Sequence, residues 1–221
     1  MRRRQDFGSA LCCDTKFEEQ LLVDGTKLIA GTDEVGRGAM AGPVVAAAVI
    51  LDLADVPEGI NDSKRLTRLR RERLAEELMR RAVAFAVTRI EADEIDRINI
   101  HHASLKAMGL AVKVLRPQPD YVLIDGRHTV PHLACPQSAI VKGDSLSVSI
   151  AAASILAKVA RDRWMAEYDM QYPGYGFATH AGYCTRFHRE AVARLGPSAI
   201  HRQTFHGVST YQPALDLSGE M

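Results

Sequence analysis

The chain has 221 residues, of which 47% are hydrophobic and 25% charged. That length and balance suit one large domain with a real core, and they exclude a disordered or collagen-like chain. A formal net charge of +1 excludes a global pull toward polyanions or membranes, so any grip on nucleic acid has to come from local patches.

Arginine does cluster locally, in "MRRR" at the start, "RLTRLRRER" from Arg65 to Arg73 and "MRR" from Met79 to Arg81. Taken singly, each run reads as a solvated helix face. Cys12, Cys13, Cys135 and Cys184 show no zinc spacing and suggest no disulfide framework, so reduced thiols are expected. No apolar run approaches the roughly 18 residues that a bilayer requires, and the N-terminus has no apolar signal core. The expectation is a cytoplasmic protein with no membrane association.

In chain order, residues 1 to about 15 read as a flexible basic lead-in. "TKFEEQLLVDG" predicts a short helix stopped by Gly25. "KLIAGTDEVG" and "GPVVAAAVILDL" are apolar runs bounded by glycine and proline, the pattern of neighbouring strands. Asp62-Ser63-Lys64 falls in a loop. Thr67 is placed to cap a helix, "RLRRERLAEELMRRA", with Leu69, Leu74 and Leu78 near helical spacing. "VAFAVTRIEA" predicts a third strand, and "ADEIDRINIHHASLKAMGLAVKVL" a long amphipathic helix ended by Arg116-Pro117. "DYVLIDGR" and "SAIVKGD" are strands that lead into a carboxylate. "SVSIAAASILAKVARDRWMAEYD" is a helix of small residues able to lie close to a sheet, and "TRFHREAVARLG" a last helix after a turn-rich aromatic stretch. This order predicts an α/β domain with a mixed sheet whose buried centre is parallel.

"GTDEVGRGAM" ends an apolar strand with Asp33 and Glu34 and follows them with Gly36-Arg37-Gly38. Asp125 and Asp144 close the later strands in the same way. In an open α/β sheet, chemistry collects where strands end. Carboxylates gathered there repel one another, and a pair of divalent cations resolves the repulsion. An oxygen-only donor set favours hard Mg²⁺ or Mn²⁺ over zinc. Two such ions about 4 Å apart are a device for in-line displacement at a phosphodiester. Neighbours on a strand point to opposite faces, so Asp33 and Glu34 can share a site only if the strand ends or bulges between them. The two glycines allow backbone to approach a ligand closely, where it can hydrogen-bond the 2′-hydroxyl that separates RNA from DNA. Arg37 has the reach for a phosphate.

From about Lys27 to Phe205 the sequence resembles the ribonuclease HII family. The likeness rests on "GTDEVGRGAMAGPVVAAAVIL", "INDSKRLT", "INIHHASLKAMGLAV", "YVLIDG", "KGDSLSVSIAAASILAKVARD" and "YGFATHAGYCTRFH", in that order. It implies an RNase H-like fold over residues 1–221, a five-stranded mixed sheet flanked by helices, with a C-terminal helical extension over about 185–221. It implies that Asp33, Glu34, Asp125 and Asp144 are the metal-binding catalytic acids and that Gly36, Arg37 and Gly38 read the 2′-hydroxyl. Tyr183 then stacks on the neighbouring sugar, and Lys64, Lys142, Ser154 and Lys158 take phosphate-contacting positions. For Lys158 the alternative is a surface pair with Asp162, and for Ser154 close helix packing.

Where the family usually reads His-Lys-Gly-Tyr, this chain has His180-Ala181-Gly182-Tyr183, which implies a modestly weaker grip. His101 and His102 are expected to be structural or exposed rather than metal ligands, and Tyr172 and Tyr175 packing or turn residues. The implied reaction is hydrolysis on the 5′ side of a ribonucleotide in RNA–DNA hybrids, or in DNA with embedded ribonucleotides, leaving 3′-hydroxyl and 5′-phosphate ends. That serves replication and ribonucleotide removal. A monomer is expected. The alternatives are a ribonuclease HIII-like enzyme, set lower because only about 26 residues precede the likeness, a non-catalytic nucleic-acid-binding module, and another metal-dependent phosphodiesterase on a similar sheet.

Overall fold

The computed structural model describes residues 13–211. Its elements run α1 (Lys16–Val23), β1 (Ile29–Val35), β2 (Val44–Ile50), α2 (Arg68–Arg81), β3 (Ala84–Ile90), α3 (Ala92–Val114), β4 (Tyr121–Asp125), β5 (Gln137–Ile140), α4 (Val148–Gln171), α5 (Phe177–His180) and α6 (Arg186–Leu195). The strands form one mixed sheet in the order β3-β2-β1-β4-β5. β1, β2 and β3 are antiparallel neighbours, while β1, β4 and β5 are parallel.

Every residue of β2 is buried, which explains a strand written "VVAAAVI" with no polar side. Val44, Ala46, Ala48 and Ile50 face the α3 layer with Ile95, Ala107, Met108 and Ala111. Val45, Ala47 and Val49 face Leu74, Leu78 and the alanines of α4 on the other side. The small residues of α4 let it lie against the sheet: a Cβ on Gly31 of β1 would come within 2.1 Å of the Ser149 carbonyl carbon.

Thr67 caps α2 by accepting the Arg70 N–H at 3.3 Å. Leu69, expected with Leu74 and Leu78, is instead 59% exposed, because it falls on the solvent side of the helix's first turn. Asp62-Ser63-Lys64 is tighter than a loop, since Ser63–Arg65 form a 3₁₀ turn capped by Asp62. α3 breaks at Asn99, whose φ of 63° interrupts the helix. Its Oδ1 accepts the N–H groups of His101 and His102 and so recaps the second segment. Residues 1–12 of the expected lead-in lie outside the described residues. Asp14 is tied down, accepting the Val148 N–H and donating to Leu146.

A third cluster joins Met40 and Ala41, from the segment after β1, to Met165, Phe177, Ala191, Val192, Ile200 and Val208. The C-terminal part of the chain is therefore packed onto the connection between β1 and β2. Residues 212–221 of the expected helical extension lie outside the described residues. Among the described residues no helix is long and apolar enough to cross a membrane.

Candidate active site

Because β1, β4 and β5 are parallel, their C-terminal ends share one edge of the sheet. The register Thr32↔Ile124 sets Asp33 level with Asp125. Asp125 in turn pairs with Ile140 of β5, after which a turn at Gly143–Ser145 carries Asp144. The turn folds back on Asp125, whose Oδ1 accepts the Gly143 N–H at 2.7 Å and the Asp144 N–H at 3.4 Å. Three carboxylates distant in sequence are thereby brought to one place by strand direction, by register and by the turn after β5.

Asp33 and Glu34 reach it differently from the sequence expectation. β1 neither ends nor bulges between them: Asp33 pairs with Ala47, Glu34 with Ala46 and Val35 with Val45. Their side chains leave from opposite faces. Pairing with β4 does stop at Thr32, so from Asp33 onward that edge of β1 is free. Electrostatically the acids still act as a group. Burial raises the Asp33 carboxyl well above its ordinary range, and the charges of Glu34, Asp125 and Asp144 add to this, while a hydrogen bond from Ser154 opposes it. Burial also raises Asp125, helped by Asp144 and Glu34 and opposed by the two N–H donors.

Two cations partly answer this repulsion. Lys64 Nζ lies 3.0 Å from Asp144 Oδ2, and Arg37 Nη1 lies 2.9 Å from Glu34 Oε1. Burial opposes the charge on Lys64, but the Asp144 contact outweighs it and its pKa is raised. Glu34 Oε2 is buried with no hydrogen-bond partner. Among the described residues, no three histidine, cysteine or carboxylate side chains stand close enough to enclose an ion as they are. The acids converge without closing.

The other expected residues divide. Ser154 is buried, sits 2.9 Å from Ser63 Oγ, and its hydroxyl acts on Asp33 by opposing the rise in its pKa. Lys142 is exposed in a left-handed conformation (φ 59°) and starts the turn that carries Asp144. Lys158 pairs with Asp162 at 2.6 Å, the alternative that its spacing offered. That pair lines a cavity of about 320 Å³ with Arg68, Arg71, Ala181 and Tyr183. A larger apolar groove of about 630 Å³, between α1 and β5, contains none of these residues.

Gly36-Arg37-Gly38 and Tyr183 do meet. Ala39 bridges Tyr183, and Met40 N–H donates to the Gly182 carbonyl at 3.0 Å. The two glycines differ in kind. Gly36 has φ +91°, and a Cβ there would lie 2.2 Å from Arg161 Nε. Gly38 has open space: a Cβ there would meet nothing nearer than the Tyr183 ring, 3.9 Å away. Gly36 is a glycine for the fold, whereas Gly38 leaves backbone accessible.

Sequence reasoning missed Arg161 and Arg202. Both are fully buried and donate to backbone carbonyls around this segment. A signal existed for Arg161: it falls four residues after Ala157 and four before Met165, on the buried stripe of α4. Nothing comparable marks Arg202. His188 and His201 were also missed. They share a hydrogen bond at 3.0 Å between their Nε2 atoms, beneath the Tyr183 turn, where His188 Nδ1 meets the Tyr183 carbonyl at 3.0 Å.

Comparison with known proteins gives a consistent result. The family model described as Ribonuclease HII matches residues 30–208. A protein named Ribonuclease HII from Brucella suis is 52% identical over 200 residues, covering 90% of this chain and 91% of its own. One of the same name from Geotalea uraniireducens is 54% identical over 196 residues, covering 89% and 90%. Among solved structures, the ribonuclease H2 from Pyrococcus horikoshii OT3 superposes with a TM-score of 0.71 at 26% identity, covering 83% of this chain and 96% of that one.

Proposed function

The chain belongs to the ribonuclease HII family, endoribonucleases that act on RNA–DNA hybrids, and on that premise we propose that its chemistry is carried by Asp33, Glu34, Asp125 and Asp144. The observation that supports this most is the electrostatic one. A fold that buries Asp33 among three further carboxylates, and leaves Glu34 Oε2 without a donor, has a standing demand for positive charge at the ends of β1 and β4.

Divalent cations fit that demand, and the all-oxygen donor set makes them Mg²⁺ or Mn²⁺. Lys64 and Arg37 now hold one oxygen each of Asp144 and Glu34. With side chains 77% and 49% exposed they are free to swing toward phosphate oxygens and release those carboxylates. When bound, such ions activate the attacking water and stabilise the leaving oxygen of a phosphodiester.

The chain's own residues select and orient. Gly38 presents unshielded backbone to the sugar, and a 2′-hydroxyl can both donate to and accept from it. The Tyr183 ring, 37% exposed beside Gly38, offers a stacking surface for the adjacent sugar. Ser154 holds Asp33 in place. The proposed product is a cut on the 5′ side of a ribonucleotide, in a hybrid or at a ribonucleotide embedded in DNA, leaving 3′-hydroxyl and 5′-phosphate ends.

The test uses the full chain, Mg²⁺ or Mn²⁺, and three labelled duplexes: all-DNA, DNA with one ribonucleotide, and an RNA–DNA hybrid. The second and third are cut, the second on the 5′ side of the ribonucleotide, and all three are spared in EDTA. Cleavage of all-DNA, or activity without metal, overturns the proposal.

A further inference from the structure

The two arginines missed by the sequence are unusual in what they bind. Arg161 Nε donates to Pro43 O at 3.0 Å, Nη1 to Ala181 O at 2.8 Å and Nη2 to Ala41 O at 3.3 Å. Arg202 Nε and Nη2 both donate to Gly42 O, at 3.0 and 2.9 Å, and Nη1 to Arg37 O at 3.0 Å. Both side chains are fully buried, yet every one of these bonds goes to backbone and none to a carboxylate. Burying a guanidinium without a counter-ion is costly, and burial pulls the pKa of both down, that of Arg202 to about 9. Core stability alone is better served by an apolar side chain of the same size. What an apolar side chain cannot do is fix five carbonyls with two rigid planar forks.

Those carbonyls belong to two places: the segment from Arg37 to Pro43, and Ala181 on the turn that carries Tyr183. Arg161 also lies against both Gly36 and the Tyr183 ring, its guanidinium carbon 5.5 Å from the ring centre. One backbone bond reinforces the join, from Met40 N–H to Gly182 O at 3.0 Å, while Gly42 N–H on Ile200 O at 2.8 Å and Arg202 N–H on Met40 O at 2.9 Å tie the same segment to residues 200–202.

We infer that Arg161 and Arg202 are positioning residues for ribonucleotide recognition: Arg202 fixes the Arg37–Gly42 backbone and Arg161 ties that segment to Ala181 on the Tyr183 turn, so that the distance between the two parts of the sugar reader is set before a duplex arrives. The inference rests on the proposal that Gly38 and Tyr183 contact the substrate. Pre-setting matters because misplacement by about 1 Å can lower a rate by about a hundredfold.

The experiment compares wild type with Arg202→Lys and Arg161→Lys, which keep the charge but lose the fork. Duplex affinity is measured in EDTA, so that no loaded enzyme is needed, with all-DNA and single-ribonucleotide duplexes. In wild type the ribonucleotide-containing duplex binds tighter. In each variant that preference falls by about tenfold, while affinity for all-DNA stays within about twofold. A folded variant that keeps the full preference, with only a lower melting temperature, makes the arginines merely structural and overturns the inference. Equal binding of both duplexes by wild type instead overturns the substrate reading. Amide exchange in wild type gives an independent reading that needs no variant. The Met40, Gly42 and Arg202 amides open as one unit if the lock is real, and separate opening contradicts it.

Discussion

Replacing Gly36 and Gly38, two residues apart in one triplet, by alanine gives opposite outcomes, because Gly36 is packed against Arg161 whereas Gly38 faces open space beside the proposed sugar position. Gly36→Ala asks a methyl-bearing residue to hold φ +91°, which costs about 1–2 kcal/mol. The new Cβ would also sit 2.2 Å from Arg161 Nε, so the guanidinium has to move and strain or break its bonds to Pro43, Ala41 and Ala181. Hydrogen bonds to a charged group are worth about 1.5–3 kcal/mol each, and losing one brings the total to about 3 kcal/mol or more. At this chain length that corresponds to a fall of about 6–12 °C in melting temperature. Gly38→Ala meets no positive φ and no contact closer than 3.9 Å, so its stability stays within about 0.5 kcal/mol of wild type. It does place a methyl group where the proposed function brings the sugar, and on that reading cleavage of single-ribonucleotide duplexes falls by at least about tenfold. Thermal unfolding and initial rates measured on both variants decide the matter. A Gly36→Ala protein as stable as wild type, or a Gly38→Ala protein that melts early yet cleaves normally, refutes the assignment.

Asp33→Asn removes a charge that burial and three neighbours disfavour, and its amide oxygen can still accept the Glu34 N–H that Asp33 holds at 2.7 Å. In EDTA it melts at least about 3 °C higher, about 1 kcal/mol, and has no turnover; a lower melting point contradicts the charge account. His188 and His201 are buried neutral, their pKa values lowered to about 4 by desolvation. The unfolded chain takes up protons below about pH 6.5 while the folded one resists until about pH 4. Stability is therefore lost as pH falls through that window, on the order of 3 kcal/mol for one histidine. The raised Asp33 and Asp125 act in the opposite direction, so the comparison is with His201→Gln, whose melting temperature falls less steeply between pH 6.5 and 5; an unchanged slope removes the histidines from the account. Tyr183→Ala costs less than about 1 kcal/mol in stability at a partly exposed site, but spreads cleavage beyond the ribonucleotide junction. An unaltered cleavage pattern argues against the stacking role.

Much of the fold is legible in the chain itself. Apolar runs bounded by glycine mark the strands, and the small residues of "SVSIAAAS" announce a helix close to the sheet, which Gly31 then shows from the other side. Asp125 and Asp144 can be expected together because parallel strands end at one edge. The Asp33–Glu34 step is harder. Alternation correctly implies opposite faces, but only the register shows that β1 loses its β4 partner there and so exposes that edge. For Gly36 the sequence suggests ligand approach, whereas its nearest constraint is Arg161, over a hundred positions later. That contact is purely tertiary, as is the pairing of Arg202 with carbonyls 160 and 165 residues earlier. A charged residue inside the "AAASILAKVARD" stripe is the one visible trace, and it resembles a solvated turn.

Whether the clustered carboxylates hold a cation is decided by calorimetric titration of metal-free protein with Mn²⁺, comparing wild type with Asp125→Asn. Wild type takes up the ion saturably, and the variant loses that uptake or binds at least about tenfold more weakly. Equal uptake by both proteins would mean that the acids at the ends of β1 and β4 are not where the cation goes.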